Sequence, residues 1–164
     1  MKLLGIIPAR GGSKGVSQKN IRLLHGKPLI EWTINEALSS KYISRTILSS
    51  DDSQIIELAK AKGCDVPFKR NGLLASDEAS SIDVVLDAIE RCPGYEWVIL
   101  LQPTSPLRTF QHIDAAINKC LKNNAMSCVS VVKVSENPHW MYEVNDKFKL
   151  RKITTNSQYT RRQD

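Results

Sequence analysis

The chain has 164 residues, of which 41% are hydrophobic, and its 23 Lys and Arg against 17 Asp and Glu give a formal net charge of +6. This length fits one domain with a real core, and the composition excludes a wholly disordered chain. No apolar stretch is long enough to span a membrane. The positive charge favours acidic partners such as nucleic acid, anionic lipid or phosphorylated substrates.

The first predicted element is a buried strand over residues 3–7, where the sequence is uniformly apolar, as in the centre of a parallel sheet. A loop with Gly11, Gly12 and Gly15 follows it, and in such a loop backbone N–H groups and cations can converge on an anion. The cations of this loop are Arg10, Lys14 and Lys19. Because the spacing fits neither the Walker A motif nor the dinucleotide fingerprint, we predict a phosphate site of another kind.

The next segment predicts a helix, a strand and a second helix. Pro28 opens a run with the apolar period of an amphipathic helix, and residues 45–50 form a short strand. Asp51 or Asp52 can cap the helix that follows, and Gly63 is a natural terminator for it.

The middle of the chain continues the alternation of strands and helices. Residues 64–69 are predicted as a short strand, and Ser80 with Asp83 makes a capping box that opens a helix. The apolar residues at helical spacing in this helix are Ile82, Val85, Leu86 and Ile89. Residues 97–101 form the next predicted strand.

The last part of the chain predicts a further helix with Ile113 and Ile117 on its apolar face, and a buried valine-rich strand over residues 128–134. Two segments, 140–144 and 147–153, resemble a β-hairpin. The alternation predicts an α/β fold with a doubly wound, mostly parallel, Rossmann-like sheet and helices on both faces. We expect a single domain over residues 1–164, with residues 136–155 as a protruding hairpin flap or dimerisation arm.

The four cysteines show no C-x-x-C spacing and lie in or beside apolar periodic segments. We therefore predict buried free thiols, which indicate a reducing compartment. The apolar start of the chain runs directly into Arg10 without a small-residue cleavage site, so we expect no secretory leader. These features predict a soluble, cytoplasmic protein.

Polar residues interrupt the apolar pattern where the predicted strands end. They are Arg10 after the first strand, residues 49–52 after the second, Arg70 after the third and Gln102 after the fourth. Ligands of open parallel sheets bind beyond the carboxyl ends of the strands, so these residues are candidates for one shared site.

Three stretches resemble, in the same order, the motifs of the acylneuraminate cytidylyltransferase (CMP-N-acetylneuraminate synthetase) family. The first is Ala-Arg-x-x-Ser-Lys-Gly from residue 9 with Lys19-Asn20, and the second is Arg70 followed by Leu-Ala-Ser-Asp-x-Ala-Ser-Ser from residue 74. The third is Leu-Leu-Gln-Pro-Thr-Ser-Pro-Leu-Arg over residues 100–108. The resemblance covers nearly the whole chain.

The resemblance implies a nucleotidyltransferase that joins CTP to a nonulosonic acid sugar and releases pyrophosphate. The acceptor would be N-acetylneuraminate, or legionaminate or pseudaminate. Arg10, Lys14 and Lys19 would act on the phosphates as catalytic residues. The residues implied to bind the nucleotide are Ala9, Arg10, Asn20, Arg70, Ala79, Ser81 and Gln102. Gln102 and Arg162 would meet the acid sugar.

The resemblance also implies Mg²⁺ and a homodimer. Relatives continue past the position of Asp164 with a segment whose acidic pair binds Mg²⁺, so we expect the C-terminal part of the family domain, with the metal ligands, beyond the end of this chain. We assign no metal ligand within it, because Asp51 and Asp52 read as helix caps and Asp77 as part of a loop turn.

Three other functions remain open from the sequence. A non-catalytic nucleotide-binding regulator would use the same loop. A sugar-1-phosphate nucleotidyltransferase would be expected to carry a Gly-Gly-x-Gly-x-Arg-Met-like loop, which differs from residues 10–14. A basic nucleic-acid-binding module would explain the charge, yet this chain does not interleave aromatic residues with its cations.

Overall fold

The computed structural model describes residues 1–13, 15–135 and 141–153. The chain divides into two compact units, Met1–Cys128 and Val129–Asp164, each of which is described by itself. The organisation as one domain stays a prediction. The strands of the first unit are β1 (Leu3–Pro8), β2 (Leu23–Leu24), β3 (Lys27–Pro28), β4 (Arg45–Ser49) and β5 (Trp97–Leu100). Its helices are α1 (Leu29–Leu38), α2 (Ser53–Ala61), α3 (Ser81–Arg91) and α4 (Phe110–Lys122), with a 3-10 helix at Gly72–Ala75.

The central sheet has the strand order β4-β1-β5, and both pairings are parallel. In register, Leu4 of β1 lies opposite Arg45 of β4 and Val98 of β5. Because β1 has a neighbour on each side and later strands extend the sheet in both directions, the strand order reverses beside β1. Such a reversal opens a crevice at the carboxyl ends of the strands.

Helices cover both faces of this sheet. Successive side chains of a strand point to opposite faces, so Leu3 and Ile7 face one way and Leu4 and Ile6 the other. The first pair packs with the buried residues of α1, α2 and α4, whereas the second pair packs with Ala88 of α3. The predicted doubly wound, mostly parallel sheet is confirmed.

Local sequence signals set the ends of the helices. The Asp52 side chain accepts the N–H groups of Gln54 and Ile55 and so caps α2, and Gly63, with φ of +80°, follows the end of that helix. The capping box of Ser80 and Asp83 opens α3 as predicted. These caps satisfy N–H groups that have no partner within the helix.

The predicted strand over residues 64–69 is wrong except for one parallel bridge between Ile47 and Asp65. Leu48 donates its N–H to the Asp65 carbonyl and Arg70 donates its N–H to the Ser50 carbonyl, so the segment follows β4 without forming a ladder. Pro67 explains the interruption, since it has no N–H to donate.

The apolar stripe of α3 is not its buried face. Val84 and Ala88 face the sheet, while Ile82 is 69% exposed and Leu86 is 57% exposed. Leu4 and Ile6 fill the space on this side of the sheet, and the helix approaches them with its smaller residues. Periodicity predicted the helix correctly, and of its four apolar residues only Val85, partly buried, packs against this core.

The predicted valine-rich strand over residues 128–134 is also wrong. These residues form no strand, and Val129, Val131 and Val132 are each at least 79% exposed. Valine favours strands only where neighbouring strands and packed side chains are present, and no described strand pairs with this segment.

The second unit contains the predicted β-hairpin. Strands β6 (Tyr142–Val144) and β7 (Leu150–Lys152) pair antiparallel, and Asn145 Oδ1 accepts the N–H groups of Lys147 and Lys149 in the connecting loop. The other parts of the predicted arm, residues 136–140 and 154–155, lie outside the described residues. The role of the hairpin as a flap or dimerisation arm stays a prediction.

All four thiols are free, as predicted, and three of them are buried. The exception is Cys128, whose predicted burial is wrong because the strand that would have carried it does not form. Among the helices that the structure describes, none has both the length and the apolar character needed to cross a lipid bilayer.

Candidate active site

The carboxyl ends of β1 and β5 border a polar pocket of about 300 Å³ in the first unit. Seven residues implied by the motifs line it together, although they come from well-separated parts of the sequence. They are Arg10, Lys19, Asn20, Arg70, Ala79, Ser81 and Gln102. The sheet and the α3 N-terminus therefore bring most of the predicted site to one place.

Three other predicted residues need separate mention. Ala9 is buried in the core, and its N–H continues the β1–β4 ladder by donating to the Ser49 carbonyl at 3.0 Å. Lys14 and Arg162 lie outside the described residues. The predicted contacts of all three with nucleotide or sugar stay predictions.

Two side chains anchor the glycine loop after β1. Asn20, only 5% exposed, donates from Nδ2 to the Arg10 carbonyl at 3.0 Å, and Asp51 Oδ1 accepts the Gly11 N–H at 3.1 Å. Gly11 also packs closely on Asp52, since an added Cβ would lie 2.7 Å from Asp52 Oδ2. A residue with a side chain at this position would displace the loop, so glycine is required here for close approach.

Arg10 extends from this loop to the turn that follows the 3-10 helix. Its Nη1 donates to the Ser76 carbonyl at 2.9 Å, and its Nη2 donates to Asp77 Oδ1 at 2.7 Å. The Arg10 side chain is 34% exposed. Its guanidinium contacts the turn, and Arg10 also lines the pocket. This ion pair was not predicted from the sequence, because nothing in the spacing of residues 10 and 77 indicates a contact.

Arg70 presents a buried cation to the pocket. Its side chain is 4% exposed, and its Nε and Nη2 have no hydrogen-bond partner among the described residues. Burial lowers the pKa of Arg70, and the charge of Arg10 reinforces that shift. The Asp51 carboxylate, 3.7 Å from Nη2, and the Asp87 carboxylate oppose it. Arginine nevertheless keeps its charge in proteins, so this guanidinium is available to a carbonyl or phosphate oxygen.

The N-terminus of α3 supplies another side of the pocket. Ser80 uses its hydroxyl to cap the helix, while Ala79 and Ser81 beside it line the pocket. Orphan N–H groups and the helix dipole make such an end favourable for negative charge. Gln102 follows β5 with an exposed side chain, and its carbonyl accepts Arg108 Nη2 at 3.2 Å.

Two carboxylates beside the pocket face arginines. Asp51 lies near Arg70, and Asp77 pairs with Arg10. Across residues 1–13, 15–135 and 141–153, no three His, Cys, Asp or Glu side chains come together. Asp51 and Asp77 therefore act on arginines in this structure.

A larger cavity of about 350 Å³ lies between β5 and α4 but has different chemistry. Apolar and sulphur-containing side chains such as Leu3, Ile117 and Cys120 line most of it, and Glu96 is the one charged side chain in its described lining. We assign the site to the polar pocket, because several cations meet there at the strand ends.

The family model and the curated relatives that match this chain agree on one family. The cytidylyltransferase family model matches residues 4–164. The chain is 38% identical over 156 residues to the CMP-N,N'-diacetyllegionaminic acid synthase of Legionella pneumophila. This match covers 93% of this chain and 67% of that protein. It is 43% identical over 129 residues to the pseudaminic acid cytidylyltransferase of Campylobacter jejuni, covering 76% of this chain and 56% of that protein.

A third relative, the N-acylneuraminate cytidylyltransferase of Escherichia coli, is 39% identical over 84% of this chain and 32% of its own length. The chain thus spans from about a third to about two thirds of the length of these relatives. Among solved structures, a CMP:2-keto-3-deoxy-manno-octonic acid synthetase complexed with CTP superposes with a TM-score of 0.66. That match is 22% identical and covers 76% of this chain and 49% of the other, so it supports the fold.

Proposed function

This chain belongs to the cytidylyltransferase family, and we propose that it takes part in the transfer of CMP from CTP to a nonulosonic acid sugar. In the proposed reaction the anomeric hydroxyl oxygen attacks the α-phosphorus of CTP. A new phosphorus–oxygen bond forms, the bond to pyrophosphate breaks, and the hydroxyl proton is released. The products are the CMP-sugar and pyrophosphate.

One observation carries the proposal: a buried arginine with unsatisfied N–H groups shares a pocket with two further cations. Arg70, Arg10 and Lys19 line about 300 Å³ at the point where the strand order reverses. A pocket with this charge favours a polyanion. Phosphoryl transfer depends mainly on positioning and on neutralising charge at the phosphate oxygens, which fixed cations can supply.

The proposed roles are those that the family motifs imply. Arg10 and Lys14 contact the triphosphate, and Lys19 assists the departure of pyrophosphate. Four further residues hold the cytidine and its sugar, namely Asn20, Arg70, Ala79 and Ser81. Gln102, with its exposed side chain at the end of β5, lies between base and acceptor, and Arg162 pairs with the acceptor carboxylate.

The acceptor is proposed as an acidic nine-carbon sugar. The names of three relatives contain legionaminic acid, pseudaminic acid and N-acylneuraminate, and each of these relatives is between 38% and 43% identical to this chain. Identities this similar do not rank the three sugars. We therefore propose the class, with N-acetylneuraminate, legionaminate and pseudaminate as the acceptors to test.

The proposal includes Mg²⁺, a homodimer and a cytoplasmic location. A divalent cation would neutralise part of the triphosphate charge, with protein ligands supplied beyond residue 164. Four free thiols are compatible with a reducing compartment. The hairpin of β6 and β7 is the proposed dimerisation arm.

The test is pyrophosphate release in the presence of Mg²⁺. CTP, ATP, GTP and UTP are each offered with each of the three acid sugars, to this chain and to a chain extended past Asp164 by the corresponding segment of the Legionella relative. We expect release with CTP alone, and more of it from the extended chain. CTP binding without release in any combination would favour a regulator, and no binding of any nucleotide would reject the proposal.

A further inference from the structure

Asp51 touches two separate parts of the nucleotide pocket through one oxygen atom. Its Oδ1 accepts the Gly11 N–H at 3.1 Å and lies 3.7 Å from Nη2 of Arg70. Gly11 belongs to the glycine loop after β1, whereas Arg70 follows the segment that runs beside β4. Asp51 itself is not among the residues that line the pocket. Its carboxylate therefore acts on the pocket through its neighbours.

The charge of Asp51 matters because Arg70 is buried. A buried cation is unfavourable unless opposing charges offset it, and Asp51 opposes the burial of Arg70 more strongly than Asp87, the other carboxylate that acts on it. The Asp51 side chain is 25% exposed, so it is only partly screened by solvent. Nε and Nη2 of Arg70 are buried and have no hydrogen-bond partner among the described residues, so the ion pair leaves two unsatisfied donors on a residue that lines the pocket.

The neighbouring aspartate has a different task. Asp52 Oδ1 accepts the N–H groups of Gln54 at 2.8 Å and Ile55 at 3.0 Å, which caps α2. Its side chain also packs on the glycine loop, so a different residue is needed as the control. Asp65, which pairs with Arg45 at the amino end of β4, supplies one.

We propose that Asp51 is a positioning residue, which holds the glycine loop and the Arg70 guanidinium in the arrangement that binds the nucleotide. The inference rests on the proposed function, since it assigns a role toward the same pocket. Asp51 forms no bond to the nucleotide. It fixes one backbone amide by a hydrogen bond and one guanidinium by charge, so that both are in place before CTP arrives.

The test compares Asp51→Asn with Asp65→Asn in CTP binding, measured by titration calorimetry on the 164-residue chain. The Asp51→Asn variant would keep an amide oxygen for the Gly11 N–H but lose the charge opposite Arg70, so we expect CTP binding to weaken about tenfold. Asp65→Asn removes the same charge opposite an arginine that does not line the pocket, so its CTP affinity should stay within about twofold of wild type. Urea unfolding of both variants reports whether they are folded.

A double-mutant cycle with Arg70→Met separates positioning from a general structural effect. If Asp51 acts through Arg70, the Asp51→Asn change should weaken CTP binding less than threefold when Arg70 is already absent. Equal effects of Asp51→Asn in both backgrounds would overturn the proposal. So would unchanged affinity in Asp51→Asn, equal losses at Asp51 and Asp65, or an Asp51→Asn chain that does not fold.

CTP binding by the wild-type chain tests the proposed function separately from the role of Asp51. Absence of CTP binding by the wild-type chain would reject the nucleotide pocket as a whole. Normal CTP binding by wild type together with normal binding by Asp51→Asn would reject only the role of Asp51.

Discussion

Arg10 and Asp77 form an ion pair that joins the glycine loop to the turn after the 3-10 helix, with Nη2 and Oδ1 2.7 Å apart. The side chains are 34% and 45% exposed, so solvent screens the pair and its contribution to stability is small. A phosphate group offers the same guanidinium a stronger acceptor than a solvated carboxylate. We infer that Arg10 is oriented by Asp77 in the free protein and is available to a nucleotide.

The Arg10→Ala variant should lose function while keeping its fold. We expect CTP binding to weaken at least tenfold and turnover by the extended chain to be abolished, because a charge-assisted hydrogen bond to phosphate contributes about 1.5–3 kcal/mol. The free energy of unfolding should fall by less than about 1 kcal/mol. Calorimetry and urea unfolding measure the two effects.

Arg45→Ala is the matched control for that experiment. Arg45 pairs with Asp65 at nearly the same exposures, 36% and 47%, but at the opposite end of the sheet from the pocket. Its loss should change stability as little as the loss of Arg10 and leave CTP binding unchanged. Cooperative unfolding that disappears in Arg10→Ala alone would make Arg10 a structural residue.

A second prediction concerns the face of the sheet that packs on α3. Leu4 is fully buried, whereas Val98, its register partner on β5, is 40% exposed. We expect Leu4→Ala to lower the free energy of unfolding by about 3 kcal/mol and Val98→Ala by less than about 1 kcal/mol. Urea unfolding followed by circular dichroism measures both. Similar losses at the two positions would mean that another part of the protein covers β5.

The sequence predicted most of the first unit because its signals are local. The uniformly apolar run of β1, the caps at Asp52 and Ser80, and Gly63 at the end of α2 each depend on residues within a few positions. The positions of Arg10 and Gln102 beside one pocket then followed from the rule that parallel strands end at one edge, whereas Arg70 lines the pocket although the strand predicted before it does not form. These features needed no knowledge of long-range packing.

Features that depend on long-range packing were not predictable in the same way. The stripe of Ile82 and Leu86 has perfect helical spacing, yet the face that packs on Leu4 is the one with smaller residues. Likewise, valines over residues 129–134 favour a strand only where a partner offers hydrogen bonds. The contact of Asp51 with Gly11 was missed because an aspartate before a helix reads equally well as a cap.

A third prediction uses the contrast between Cys64 and Cys128. Cys64 is 3% exposed, and burial, reinforced by the charge of Asp65, raises its pKa to about 12, whereas Cys128 is exposed. The thiolate is the reactive form, so a thiol reagent at pH 8 should label Cys128 quickly and Cys64 only after unfolding. The variant Cys128→Ser should remove the fast phase, and Cys64→Ser should leave it intact.

The raised pKa of Cys64 also makes the free energy of unfolding depend on pH. The pKa of Cys64 is higher in the folded protein than the usual value near 9. The contribution of its protonated thiol to the free energy of unfolding is therefore complete below pH 9 and is lost as the pH rises toward 12. The free energy of unfolding should therefore fall more steeply in wild type than in Cys64→Ala, by up to about 1.4 kcal/mol per pH unit in that window. Equal slopes in the two proteins, measured by urea unfolding between pH 8.5 and 10.5, would show that Cys64 ionises normally.

The last prediction concerns Gln102, whose side chain is exposed at the end of β5 while its carbonyl accepts Arg108. Truncation to alanine removes an amide that faces the pocket but keeps the backbone contact, so the free energy of unfolding should change by less than about 0.5 kcal/mol. We expect the affinity for CTP or for the acid sugar to fall about tenfold, as loss of one or two polar contacts would predict. Gln54→Ala, at an exposed position on α2 away from the pocket, controls for the loss of a glutamine side chain. If Gln102→Ala binds both ligands with wild-type affinity in calorimetry, Gln102 does not belong to the binding site and the acceptor must approach from another side of the pocket.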